Sequence, residues 1–327
     1  MKHSASKSFE PFKSGEARAR YIAAYDAVLR KWPVAYQELD LPTRWGVTHV
    51  VVSGPQDAQP LLLLPCFHGT ATVWRPNVEG LCQHYRLYAV DVIGQAGKSV
   101  ASRRIRSRRD YADWLVELLD ALGVARASVV GNSFGGFLAL SLALFAPERV
   151  DRVVLISPAG VFTSVVWKFV YGAFRVGIAY LAGNRGTPDV TAFLGRDVHL
   201  DPRDADWANL VSLVLSDGVR VNAAFPRVFS KAELGAIRAP TLLLIGDNEL
   251  LYEPHAMLTR ARDRMPTLEG EIIPHAHHIA AMAQPDEIDT RIIGFLKRGT
   301  SRTIASGQQR LRGEDHGPRT DHGRTEY

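Results

Sequence analysis

Ala127-Ser128-Val129-Val130-Gly131-Asn132-Ser133-Phe134-Gly135-Gly136 sets a single serine between glycines where an apolar, strand-like run gives way to an apolar, helix-like one. Glycine at 131 and 135 removes the side chains that would collide in so sharp a turn. The serine is then raised at the sheet edge with its hydroxyl exposed. A bare Gly-x-Ser-x-Gly pattern also arises in glycine-rich loops. The strand before it and the helix after it are what make Ser133 a candidate nucleophile.

Outward from this turn, short apolar runs at residues 61–64, 87–92, 153–156, 241–245 and 270–273 mostly end in Gly, Pro, Asp or Ser. Parallel strands buried on both faces read this way. Helical patterns over 111–122, 134–145, 255–264 and 286–297 lie between them, so the expected class is α/β, with a mostly parallel central sheet flanked by helices. A helix over 16–31, with Tyr21, Ile22, Tyr25, Val28 and Leu29 on one face, and strands near 35–39 and 48–52 lead into it. Between Pro158 and Pro240 the alternation stops. Helix-like patterns without a strand predict an inserted helical lid, whose Trp167, Phe169, Val170, Tyr171, Phe174, Tyr180, Trp207 and Phe225 would wall the site or pack the lid itself. From Thr300 the chain is polar and rich in Arg, Gly and His, the composition of a disordered tail. The expected organisation is an N-terminal helix and lead-in strand in 1–45, a core in 46–160 and 240–299, a lid in 161–239 and a tail in 300–327.

The 327 residues, 46% hydrophobic, suffice for a large core. The net charge of +5 is local: Arg103, Arg104, Arg106, Arg108 and Arg109 account for all of it, and no nucleic-acid motif accompanies them. Nucleic acid is therefore not an expected partner. Two cysteines, Cys66 and Cys82, make no disulfide framework and fit a reducing compartment. Residues 1–15 lack the apolar run of a signal peptide. Nothing approaches about 18 uninterrupted apolar residues, since Lys168 and Arg175 interrupt 161–181. A soluble, cytoplasmic protein without a membrane partner is expected, and oligomeric state is left open.

A serine nucleophile needs a base, and the base needs an acid that fixes its tautomer. In elbow-type enzymes the chain order is serine, carboxylate, histidine, each on a loop at the carboxyl end of a strand. Gly246-Asp247-Asn248-Glu249 follows one strand candidate, and Pro274-His275-Ala276-His277-His278 follows another. Asp247 and Glu249 compete for the acid, and the spacing of glycine, two residues, then acid selects Glu249. His278, followed by a loop and then a helix after Pro285, is selected as base, with His277 second. A metal on His275, His277 and His278 is disfavoured because adjacent histidines seldom converge and no cysteine or carboxylate stands at zinc spacing. No metal or cofactor is expected. One oxyanion donor would be the Phe134 N–H; the second would come from Pro65-Cys66-Phe67-His68-Gly69-Thr70, with Phe67 preferred and Thr70 the rival. Nothing nearby would depress the Cys66 pKa as a thiolate enzyme requires. The loop from Asp91 to Ser99 lacks phosphate-loop spacing.

Together these segments resemble the α/β-hydrolase superfamily from about residue 48 to 296. Within them, Tyr21-Ile22-Ala23-Ala24-Tyr25-Asp26, Asp91-Val92-Ile93-Gly94 and Leu250-Leu251-Tyr252-Glu253-Pro254-His255 look like bacterial carboxylesterases of the naproxen esterase type. The resemblance implies a cofactor-free serine esterase acting through an acyl-enzyme on small uncharged esters with bulky apolar acyl groups. Ser133, His278 and Glu249 would form its triad, and the amides of Phe67 and Phe134 its oxyanion hole. Two positions depart from the superfamily pattern: Pro65-Cys66 replaces His-Gly, and Glu249 replaces the commoner aspartate. Carbon–carbon bond hydrolases and acyltransferases use the same triad, and a non-catalytic small-ligand-binding protein can share the architecture.

Overall fold

Side chains on a strand point alternately to its two sides, so a strand covered by helices on both faces is apolar at every position. Strand β3 (Gln59–Leu64) sends Leu62 and Leu64 into one core and Leu61 and Leu63 into the other. In β6 (Ala127–Asn132), Val129 and Val130 divide likewise, as do Leu155 and Ile156 in β7 (Val150–Ile156) and Leu243 and Leu244 in β8 (Thr241–Gly246). These are the runs that look uninterrupted in the sequence.

The structure, a computed structural model, describes residues 9–163, 205–216 and 222–298. The expected tail over 300–327 and most of the expected lid, including Trp167, Phe169, Val170, Tyr171, Phe174 and Tyr180, lie outside the described residues. β1 (Tyr36–Thr43), β2 (Gly46–Ser53), β4 (Tyr85–Val90), β5 (Val100–Ala101) and β9 (Leu268–Ile273) complete one sheet. Its order is β1-β2-β4-β3-β6-β7-β8-β9, with β5 beside β2. β1, β2 and β4 pair antiparallel, and every pairing from β4 through β3 to β9 is parallel. The edge strand β9 exposes Glu269 and Glu271, which pair with Arg298 (2.6 Å) and Arg291 (2.8 Å).

Helices α1 (Gly15–Leu29), α2 (Val78–Leu81), α3 (Arg108–Ala121), α4 (Phe134–Phe145), α5 (Ala205–Ser216), α6 (Lys231–Ala236), α7 (Pro254–Arg264), α8 (Ala280–Ala283) and α9 (residues 285–298) cover the two faces. One core is shared by α3, α4, α6 and α7, and the other by α1, α2, α5, α8 and α9. The expected helices recur within three residues at each end, the largest difference being the start of α3 at Arg108, and α1 buries Tyr21, Tyr25, Val28 and Leu29 as its apolar stripe requires. Trp207 of α5 is buried with Leu210 and Val214 in the α1 core, where Lys31 pairs with Asp206, so this member of the aromatic set packs as core. Among the described residues no helix is long and apolar enough to cross a membrane.

Asp289 on α9 is buried and accepts a hydrogen bond from Asn77 Nδ2 (2.9 Å), fastening α9 to the start of α2. Burial, with a smaller push from Asp286, lifts its carboxyl to about 7 against the pull of Asn77. A carboxyl raised in the folded state contributes stability that is complete below its unfolded pKa and is lost as pH rises through the folded value, here from roughly pH 4 to 7. Asp289→Asn keeps the acceptor and removes the charge. Its thermal midpoint is expected to exceed that of the parent at pH 8, with the advantage gone by pH 4, as measured by calorimetry across that range.

Candidate active site

The parallel strands deliver β6 to the centre of the sheet, and the turn after it is tight because three backbones meet there. A Cβ on Gly131 would overlap the Gly135 carbonyl, and one on Gly135 would overlap the Leu64 carbonyl at the end of β3. Ser133 has φ 52 and ψ −110, a conformation that L residues rarely adopt. It is held there from both sides: its N–H donates to Ile156 O (2.9 Å) on β7, and its carbonyl accepts from Gly136 N–H (3.0 Å) and Ala159 N–H (3.1 Å).

The two loops singled out downstream reach this point. His278 Nε2 lies 2.9 Å from Ser133 Oγ. His278 Nδ1 lies 2.9 Å and 3.0 Å from the two carboxylate oxygens of Glu249. Glu249 Oε1 also accepts N–H groups from Leu250 (2.8 Å) and Leu251 (3.0 Å), which fixes the carboxylate. Its side chain is fully enclosed. Burial alone would raise this carboxyl, but the His278 charge and hydrogen bond, with the Leu251 N–H, outweigh it and hold Glu249 below the usual carboxylate range.

The competing residues stand elsewhere. Asp247 is exposed and accepts from Asn248 Nδ2 (3.0 Å). His275 is exposed at φ 56, and His277 is half-buried. The extra methylene of Glu249 is compatible with a direct contact to His278.

The loop at the end of β3 lies against the turn. Phe134 opens α4, so its N–H is among those the helix itself leaves unbonded. The Phe67 ring meets the Phe134 ring edge-on at 5.4 Å, bringing the two segments side by side. Three neighbouring donors in the loop are committed, none of them that of the rival Thr70: His68 N–H to Gln95 Oε1 (2.7 Å), Gly69 N–H to Cys66 O (2.9 Å), and Ala71 N–H to Asp91 Oδ1 (2.8 Å). Burial pushes the Cys66 thiol up to about 11 and the His68 imidazole down to about 4, so neither carries charge near neutrality.

The sequence placed Tyr25 on the face of the first helix and Gln95 in the Asp91–Ser99 loop, but gave neither its part in positioning this loop. Asp91 is fully buried and accepts from Ala71 N–H, Lys98 N–H (2.7 Å) and the Tyr25 hydroxyl (3.2 Å), tying α1, the β4 loop and the β3 loop at one carboxylate. Tyr25 and Asp91 already belong to quoted motifs, but no spacing links residues 66 positions apart.

A serine strained at the end of a central parallel strand, bonded to an imidazole that is bonded in turn to a buried carboxylate, is now in place. A family profile described as alpha/beta hydrolase fold matches residues 59–285. The chain belongs to the α/β hydrolase fold family. Among relatives of this α/β hydrolase, an uncharacterized carboxylesterase, nap, of Bacillus subtilis is 35% identical over 285 residues, covering 86% of this chain and 93% of that one. Carboxylesterase YbfK of the same species is 33% identical over 304 residues, covering 88% and 97%. The crystal structure of naproxen esterase (carboxylesterase NP) from Bacillus subtilis superposes with a TM-score of 0.78 at 34% identity, covering 87% and 99%.

The depressed Glu249 carboxyl has a consequence for this hydrolase that titration reads. A carboxyl lowered in the folded state contributes stability above its unfolded pKa, and that contribution is lost as pH falls through the folded value. The thermal midpoint of the parent minus that of Glu249→Gln is therefore expected to decline as pH is lowered below about 4.5. A pH-independent difference would contradict the ionised assignment.

Proposed function

We propose that this α/β hydrolase cleaves carboxylic esters with an apolar acyl group through an acyl-enzyme on Ser133. The observation that carries the reading is the continuous line from Ser133 Oγ through His278 to Glu249. Relatives named as carboxylesterases, matching nearly end to end, favour esters as the substrate class.

Glu249 accepts from Nδ1–H of His278, which leaves the Nε2 lone pair facing Ser133. Nε2 takes the hydroxyl proton as Oγ attacks the ester carbonyl, and the imidazolium so formed is stabilised by the adjacent carboxylate. The carbonyl oxygen, now negative, is held by the N–H groups of Phe67 and Phe134. Collapse of the tetrahedral intermediate breaks the bond to the alcohol oxygen, which leaves with the proton from Nε2. Water then repeats the sequence on the acyl-enzyme: His278 removes its proton, the acid departs, and Ser133 regains its hydrogen. The chemistry needs no redox step, and these residues supply the proton transfers. A helical lid drawn from 161–239 would limit water around the acyl group.

Hydrolysis of 4-nitrophenyl hexanoate, followed by nitrophenol release, tests the assignment. Ser133→Ala and His278→Ala are each expected to lower kcat by about 10⁶-fold, and Glu249→Gln by about 10⁴-fold. Asp247→Asn and His277→Gln are expected to stay within a factor of about three. Equal, slow release by parent and Ser133→Ala would overturn the proposal.

A further inference from the structure

Residues 222–229 form a strap across the loops around Ser133, pinned at both ends. Asn222 is buried and donates its N–H to Gly94 O (2.8 Å), accepts Ile105 N–H at Oδ1 (3.0 Å), and donates from Nδ2 to Arg103 O (2.7 Å). At the far end Phe229 is fully buried and donates its N–H to Val161 O (3.0 Å). Its ring meets Phe137 at 5.9 Å and lies under the Arg108 guanidinium at 4.5 Å. Two glycines seat the strap. A Cβ on Gly94, at φ 81, would overlap the Asn222 carbonyl, and one on Gly160, at φ 64, would stand 2.5 Å from Pro226 Cβ. Both conformations and both clearances exclude a side chain.

Between the pins stands Phe225, which is 70% exposed, its ring 5.9 Å from that of Phe67. Phe67 meets Phe134 at 5.4 Å, and Phe134 stacks on Phe137 at 5.8 Å. An aromatic row therefore runs from Phe137 in the core through Phe134 and Phe67, the two residues proposed as oxyanion donors, and ends on an exposed ring. A lone exposed apolar side chain calls for no explanation. This one is fixed in place by a strap whose Asn222 bonds reach back more than a hundred residues, and it extends the surface that Phe67 begins.

We infer that Phe225 is a specificity-determining residue, forming with Phe67 the wall that receives the apolar acyl chain of the ester. The inference rests on the esterase reading. A two-carbon acyl group presents little surface beyond the reacting carbon, whereas a longer chain can lie along the wall and remove both itself and the ring from water.

The test is kcat/KM for 4-nitrophenyl acetate, butyrate and hexanoate with the parent, Phe225→Ala, Phe225→Trp and Ser133→Ala. Phe225→Ala is expected to lower the hexanoate-to-acetate ratio about tenfold, chiefly through KM for hexanoate, and Phe225→Trp to retain the preference. The substituted ring is exposed, so the variant should fold, and an unchanged thermal midpoint verifies it. Equal loss on all three esters, or no loss on any, overturns the specificity role and leaves the esterase reading intact. A parent no faster than Ser133→Ala overturns both.

Discussion

The constraint on which this molecule depends is the backbone at Ser133. A residue with a side chain is kept in a region of φ and ψ that costs on the order of 1–3 kcal/mol, and the surrounding structure must over-determine it. Here that means β7 accepting the serine N–H at Ile156, Ala159 and Gly136 donating to its carbonyl, and glycines where Gly131, Gly135 and the end of β3 approach one another. The supports come from β3, β6, β7 with the loop that follows it, and α4 together. The register of β6 against β3 and β7 is therefore a requirement of the site as well as of the sheet.

A second constraint is the enclosure of charge. Glu249 has lost its water and is stabilised by two backbone N–H groups and the imidazole; Asp91 has lost its water and is stabilised by two N–H groups and a phenol. Burying a carboxylate is tolerated when its oxygens are satisfied in this way. One carboxylate orients the base, and the other gathers the segments that shape the loop carrying Phe67. The two play corresponding parts, one behind the imidazole of His278 and the other behind the loop that carries Phe67.

The strands were legible because burial on both faces leaves an apolar signature in each one, and α4 because the glycines mark its start. β5, only two residues long, has no signature of its own; it exists because Ala101 and Val100 lie against Gly46 and Val47. Ser133, Glu249 and His278 could be proposed together because each follows a strand and the chain order is constrained. The choice of Glu249 over Asp247 was available from spacing, and the direct bond to His278 agrees with it. For Phe225 the sequence left the site wall and the lid's own packing both open, and the place of Gln95 could not be read, since both depend on contacts between distant loops. Trp207 illustrates the opposite difficulty: composition groups it with the other aromatic residues near it in sequence, while packing assigns it to the α1 core.

The last strand of the sheet bears on how copies of this chain meet. An open parallel edge offers unpaired amides and carbonyls to any neighbouring chain in a similar conformation. On β9 that border is flanked by Glu269 and Glu271, each neutralised by an arginine from α9, so an approaching strand would have to displace guanidinium groups and desolvate two carboxylates. Among the described residues the sheet thus ends in a charged fringe that disfavours the addition of another strand.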